Sequence, residues 1–196
     1  MGWTYAHREK GISNKEWFAR EYDGDRGYEV LDVASGSLNR NHVYIALKLP
    51  DGKVLAVACL TRWVPKDEYN YGWKDMSEDM GPNICDCPQR IIDLLSPIEE
   101  LFPNEESSSR EWAQAWRDRV ATFRERMKNR LKLRDDILVM VPYDLDFSNF
   151  TMKAGTPFRV DDAKKKVFSR GYNRFKLRRD TMIDLVELPA EASLLA

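Results

Sequence analysis

The chain has 196 residues, of which 43% are hydrophobic, 11% aromatic and 32% charged. That composition excludes a disordered chain and is enough to bury a core in one domain or two small ones. The 31 basic and 32 acidic side chains leave a formal net charge of -1, which excludes a uniformly charged surface, so charge has to be read segment by segment.

In chain order, residues 2–7 alternate well enough for a short opening strand. Ser13 and Glu16 form a capping-box pattern ahead of Trp17, Phe18 and Tyr22, which predicts a helix over 14–22 stopped by Gly24 and Gly27. Tyr28 to Ala34, His42 to Leu49 and Lys53 to Trp63 read as strands. Asp51-Gly52 joins the last two, and that dipeptide predicts a type I′ hairpin. Both hairpin strands are apolar on both faces, so they are expected at the sheet centre with a helix covering one side.

The segment 69–88 reads as a loop. A short helix over 87–95 follows, with Pro88 at its first position, then an irregular piece between Pro97 and Pro103. Trp112, Trp116, Val120, Phe123 and Met127 recur at spacings of three and four, which predicts a long helix over 110–133 with one core-facing stripe. Short strands are expected at 137–141, 157–160, 166–169, 174–177 and 182–187. The fold class is therefore α+β. An antiparallel sheet packed by helices (1–134) precedes a small β-rich subdomain (135–190), SH3-like or a curled sheet, and residues 191–196 form a frayed tail.

Residues 1–20 carry seven His, Arg, Lys or Glu side chains and no apolar signal-peptide core. The longest apolar run, Val54 to Leu60, is far short of the ~20 residues of a membrane span. Cys59, Cys85 and Cys87 make an odd set, and one pair is a single residue apart. A reduced, cytoplasmic protein without membrane association is expected.

The densest signal is Tyr71 to Pro88, where rings, acids, a Gly-Pro turn and Cys85-Asp86-Cys87 are packed together. From Lys66 to Glu106 there are eleven acidic against three basic side chains. Such a surface can grip a basic partner, so Asp75, Glu78 and Asp79 are candidate recognition acids. Tyr69, Tyr71 and Trp73 are candidate anchors, because rings give much buried area for little entropy cost. The alternative is a solvated acidic loop. Lys164, Lys165, Lys166, Arg170, Arg174, Lys176, Arg178 and Arg179 form a second candidate, eight cations in sixteen residues with no acid. Phe168, Tyr172 and Phe175 interleave them, a pattern that suits nucleic acid. Alternation puts Phe175 and Leu177 on the core side, and the competing reading is a charged sheet edge.

Two enzyme readings are weaker. Cys85 and Cys87 with His7 or His42 could hold zinc, or Cys87 could be a thiolate at a helix start, but Cys-x-Cys is not the usual ligand spacing. Asp75 and Glu78, three apart, could share one side of a helical turn and act as a carboxylate pair. No phosphate-cradling glycine loop, HExxH, G-x-S-x-G or EF-hand pattern occurs, and no cofactor is implied.

Met1-Gly2-Trp3, the run Tyr71-Gly-Trp-Lys-Asp-Met, Glu78, Gly81-Pro82, Cys87-Pro88, Trp116-Arg117 and the basic tail together resemble a family of proteins without assigned activity. Its members are carried by plasmids, integrative elements and phages. The resemblance spans most of the chain, but only the central block is specific. Here Trp73 stands where the family usually has Tyr, and Asn83-Ile84 where aromatics are common. The resemblance implies a mobile-element setting and no mechanism. The leading expectation is a non-enzymatic protein that binds a macromolecular partner, in counter-defence or regulation. Nucleic-acid binding through 164–179 and a cysteine- or carboxylate-based enzyme are the alternatives.

Overall fold

The structure is a computed structural model that describes residues 2–23, 25–66 and 69–189. Expectations for Gly24, Asp67, Glu68 and the tail 191–196 lie outside the described residues. The fold is α+β with a β-rich C-terminal region. The chain divides into two compact units, Met1–Arg124 and Glu125–Ala196, so the division falls earlier than the 134/135 boundary read from the sequence.

The first unit is built on an antiparallel sheet of β1 (Thr4–Ala6), β2 (Glu29–Ser35), β3 (His42–Lys48), β4 (Val54–Lys66) and β5 (Tyr69–Ser77). Their order is β1-β5-β4-β3-β2. Period-two patterning in β3 sorts its residues cleanly. Val43, Ile45 and Leu47 pack with Trp17, Phe18, Cys59, Tyr71 and Trp73 on one face. Tyr44 and Ala46 pack with Cys87, Ile91, Trp116 and Val120 on the other. Helix α1 (Asn14–Tyr22) supplies Trp17 and Phe18. Helices α2 (Gln89–Ile92) and α4 (Ser108–Lys128) supply the opposite layer, and α3 (Ile98–Leu101) adds Ile98. Both faces are thus covered, where a helix on one side was expected. Phe18 and Trp116 are fully buried, and burial on that scale is worth roughly 1.5–3 kcal/mol for a large apolar side chain.

The α1 capping box forms as read, with Glu16 N–H donating to Ser13 Oγ (3.2 Å) and Ser13 N–H donating to Glu16 Oε2 (2.9 Å). The β3–β4 turn is not type I′. Gly52 N–H closes onto Leu49 O (2.9 Å), and only Gly52 takes positive φ (88°), whereas type I′ needs it at both central residues. Pro50 fixes a negative φ at the first central position of this turn. The larger correction is β5. The segment read as a loop is a strand between β4 and β1, with Thr61 opposite Trp73 and Trp63 opposite Tyr71.

The helix over 87–95 contracts to α2, and Pro88 is its cap rather than its first residue. Helix α4 ends at Lys128, short of 133, and its buried stripe is Ala113, Trp116, Val120 and Phe123. Trp112, expected in the stripe, is half exposed, and Met127 is only partly buried.

The second unit has β6 (Leu138–Met140), β7 (Leu145–Asp146), β8 (Thr151–Met152), β9 (Phe158–Asp162), β10 (Val167–Arg170), β11 (Asn173–Phe175) and β12 (Val186–Glu187). Five of these form a sheet ordered β11-β10-β9-β6-β12, and β7 and β8 make a separate ribbon. Its core gathers Val139, Val141, Met152, Phe158, Val160, Phe168 and Leu185. Met182 to Asp184, expected in a strand over 182–187, lie instead in a 3-10 turn, Thr181–Asp184. Asp180 caps it by accepting from Thr181 N–H (2.9 Å).

Candidate functional site

The Tyr71–Pro88 block turns out to be a seam that locks the first unit together. Tyr71 and Trp73 are 4% and 5% exposed and meet the Trp17 ring edge-on at 5.8 and 5.9 Å. Their place on β5 facing α1 removes them as surface anchors. Glu78 is also corrected from a surface acid to a core one, because its side chain is fully buried. It accepts from Arg117 Nε (2.6 Å) and Nη2 (3.0 Å) and from Ala56 N–H (3.0 Å). Arg117 Nη1 also donates to Ser96 O (2.9 Å). Trp116 Nε1 donates to Ile84 O (2.8 Å), and Arg119 Nη2 donates to Pro82 O (2.7 Å). The 78–84 segment and α4 are thus two sides of one docking contact, with Arg117 on Glu78, Arg119 on Pro82 and Trp116 on Ile84.

Asp75 and Asp79 are partly exposed and both are engaged. Tyr22 Oη donates to Asp75, and Ser77 Oγ donates to Asp79. Burial, the Cys59 thiol and Asp75 together push the Tyr22 phenol well above its ordinary range. Asp75 faces α1 while Glu78 faces α4. The two carboxylates therefore point to opposite sides of the sheet, not to one side of a helical turn.

Asp86 is the polar centre of the block, with 3% exposure. It accepts from Leu38 N–H (3.0 Å), Asn39 N–H (3.1 Å) and Tyr44 Oη (2.6 Å), and it contacts His42 Nδ1 at 2.8 Å. Burial by itself would raise its carboxyl. The His42 and Tyr44 contacts, the Asn39 N–H and the His42 charge outweigh that and hold it below the usual value. Cys87 is fully buried, and burial, then Asp86, pushes its thiol well above the ordinary range. A thiol kept protonated in this way is a poor nucleophile. No cysteine forms a disulfide. Among the described residues, no cluster of three or more His, Cys, Asp or Glu side chains is placed to hold a metal ion.

The basic strip is different. All eight of its cations are exposed. Lys165 pairs with Asp162 (3.3 Å), Arg174 with Asp161 (3.1 Å) and Arg178 with Asp180 (3.6 Å). Lys164, Lys166, Arg170 and Lys176 have no ion-pair partner among the described residues. Phe168 is buried, and Phe175 packs against Phe147, Phe158 and Phe168, as the alternation predicts. Tyr172, at the β10–β11 hairpin tip, is wholly exposed. Beside the strip lies an open concavity of about 1060 Å³ whose lining includes Arg159, Arg170, Arg174, Tyr172, Phe150 and Asp161. Sequence reading missed Arg159 and Phe150, because neither the single cation on β9 nor the ring in the β7–β8 connection shows in sequence that it faces the 164–179 strip.

A second surface feature lies on the first unit. Trp63, Tyr69 and Tyr5 are 55%, 44% and 38% exposed. The Arg62 guanidinium sits 3.9 Å from the Trp3 ring centre and 5.2 Å from that of Tyr5. Tyr69 is the one ring among the candidate anchors that stays accessible. No described helix is long and apolar enough to cross a membrane. Compared with known proteins, the chain matches no family model, no curated protein and no solved structure.

Proposed function

We propose that this protein binds nucleic acid through the exposed basic strip of its C-terminal unit. The observation that supports it is the concavity where Arg159, Arg170 and Arg174 meet the exposed rings Phe150 and Tyr172. Cations there neutralise phosphate and release counterions, while accessible rings offer stacking surfaces. The acidic block loses standing as the main recognition surface, because three of its six candidate residues are interior. A salt titration of binding to labelled DNA and RNA tests the proposal. The expected result is an affinity that falls steeply and log-linearly with salt. Absence of binding at low salt, or a flat response, overturns it.

A protein partner is the second reading, favoured by the surface where Arg62 lies against the Trp3 and Tyr5 rings and Tyr69 packs 6.4 Å from Tyr5, a ring-plus-arginine make-up that is that of binding hot spots. Substituting Tyr5→Ala with Tyr69→Ala should remove specific proteins from those captured out of a host lysate while the fold persists. An unchanged captured set rejects this reading. The cytoplasmic, mobile-element setting and the counter-defence or regulatory role are carried from the sequence and the resemblance as part of the proposal. Genes flanking the coding sequence that belong to a plasmid, integrative element or phage would support that setting.

A further inference from the structure

We infer that the nucleic acid taken by this groove is single-stranded, with an unpaired base inside the concavity and the neighbouring phosphates along the surrounding cations. The inference rests on the nucleic-acid reading above and adds the class of strand.

Three features of the lining point this way. The first is the rings. Tyr172 is wholly exposed on its hairpin tip, and Phe150 is 40% exposed. Phe150 is held in place by Phe147, stacked on it at 4.5 Å, and Phe147 in turn meets Phe175 edge-on at 5.2 Å. A ring presented to solvent and backed by packed rings is a preformed stacking platform. Paired bases in a duplex bury their faces against each other and cannot use it, whereas unpaired bases can.

The second feature is Asp161. It sits in the lining, is paired with Arg174 Nε (3.1 Å) and accepts from Ser169 Oγ. A carboxylate there repels phosphate but accepts hydrogen bonds from the N–H groups on a base edge. It therefore favours a base, rather than the backbone, next to it. The Asn173 amide in the same lining adds a further donor and acceptor.

The third feature is the arrangement of charge. Arg159, Arg170 and Arg174 line the concavity itself, while Lys164, Lys165 and Lys166 are exposed in the turn between β9 and β10. Cations at both places let a strand keep its phosphates in contact while one base turns inward.

Fluorescence anisotropy with labelled oligothymidine and a duplex of equal length tests this at one fixed salt concentration. The intact chain should bind the single strand at least tenfold more tightly. Tyr172→Ala, on a side chain that packs against nothing, should cost on the order of tenfold on the single strand and nothing on the duplex. The triple change Lys164→Ala, Lys165→Ala and Lys166→Ala should weaken both alike. Equal affinity for the two forms, or a Tyr172→Ala effect that is absent or the same on both, overturns the single-strand inference and leaves nucleic-acid binding standing. Failure of both probes to bind at low salt overturns both.

Discussion

Asp86 illustrates how one acid can organise residues far away in sequence. Its carboxylate gathers the backbone of Leu38 and Asn39, the His42 ring and the Tyr44 hydroxyl. Its backbone carbonyl also accepts from Ser37 N–H (3.0 Å). The approach is so close that a Cβ on Gly36 would lie 2.4 Å from Asp86 Oδ2. Gly36→Ala should therefore cost roughly 1–3 kcal/mol, the scale of a disturbed buried hydrogen-bond network, read as a drop in the urea midpoint. The titration has a definite sign. The folded carboxyl lies below its ordinary 3.8, so its stabilisation is complete above about pH 4 and is lost as pH falls through the folded value. Asp86→Asn should flatten the acid side of the stability-against-pH curve; an unchanged slope would contradict this. In sequence Asp86 was one acid among eleven, because a side chain's partners across a fold leave no local mark.

Among the elements, β5 and α4 carry the architecture of the first unit. Helix α4 announces itself through its period, although the register was read one residue off at its start. Ala113, not Trp112, faces inward there. β5 also has a period, with Tyr71 and Trp73 two apart, but Gly72, Lys74 and the acids that follow look like a loop when no neighbouring strand is known. Glu78, the residue directly after β5, ties the end of that strand to α4 through its pair with Arg117. Arg117→Met would leave the Glu78 carboxylate buried without its counter-charge, and the expected loss is about 3–5 kcal/mol. The double change Glu78→Leu with Arg117→Met should cost less than either single change, since no lone charge remains inside. Denaturant unfolding of the three variants checks this, and additive losses would show that the pair is not coupled.

Over the whole molecule, the two charged segments meet different fates. Within 67–106, Glu78, Asp86, Asp75 and Asp79 are engaged by Arg117, His42, Tyr22 and Ser77. Glu78, Asp86 and Asp75 thus tie distant segments of the first unit, while Asp93, Glu99, Glu100, Glu105 and Glu106 stay exposed. The 164–179 cations stay on the surface of the second unit. If Lys164, Lys165 and Lys166 contact phosphate, replacing all three with Ala should reduce the salt slope of single-strand binding by up to about 2, roughly 0.7 per contact. An unchanged slope would move the phosphate path to Arg159, Arg170 and Arg174 alone.

Local pattern alone determined the α+β class, the α1 cap, the β2, β3 and β4 strands, the long helix and the inward side of Phe175. Each of these depends on periodicity or capping within a few residues. Only the tertiary structure decided that Tyr71, Trp73 and Glu78 are interior, that Asp86 is a hub, and that Arg159 and Phe150 join the basic strip around one concavity. The physical reason is that burial and ion pairing are set by which segments meet across the fold. A ring or a carboxylate reads the same in sequence whether it faces water or a partner many residues away.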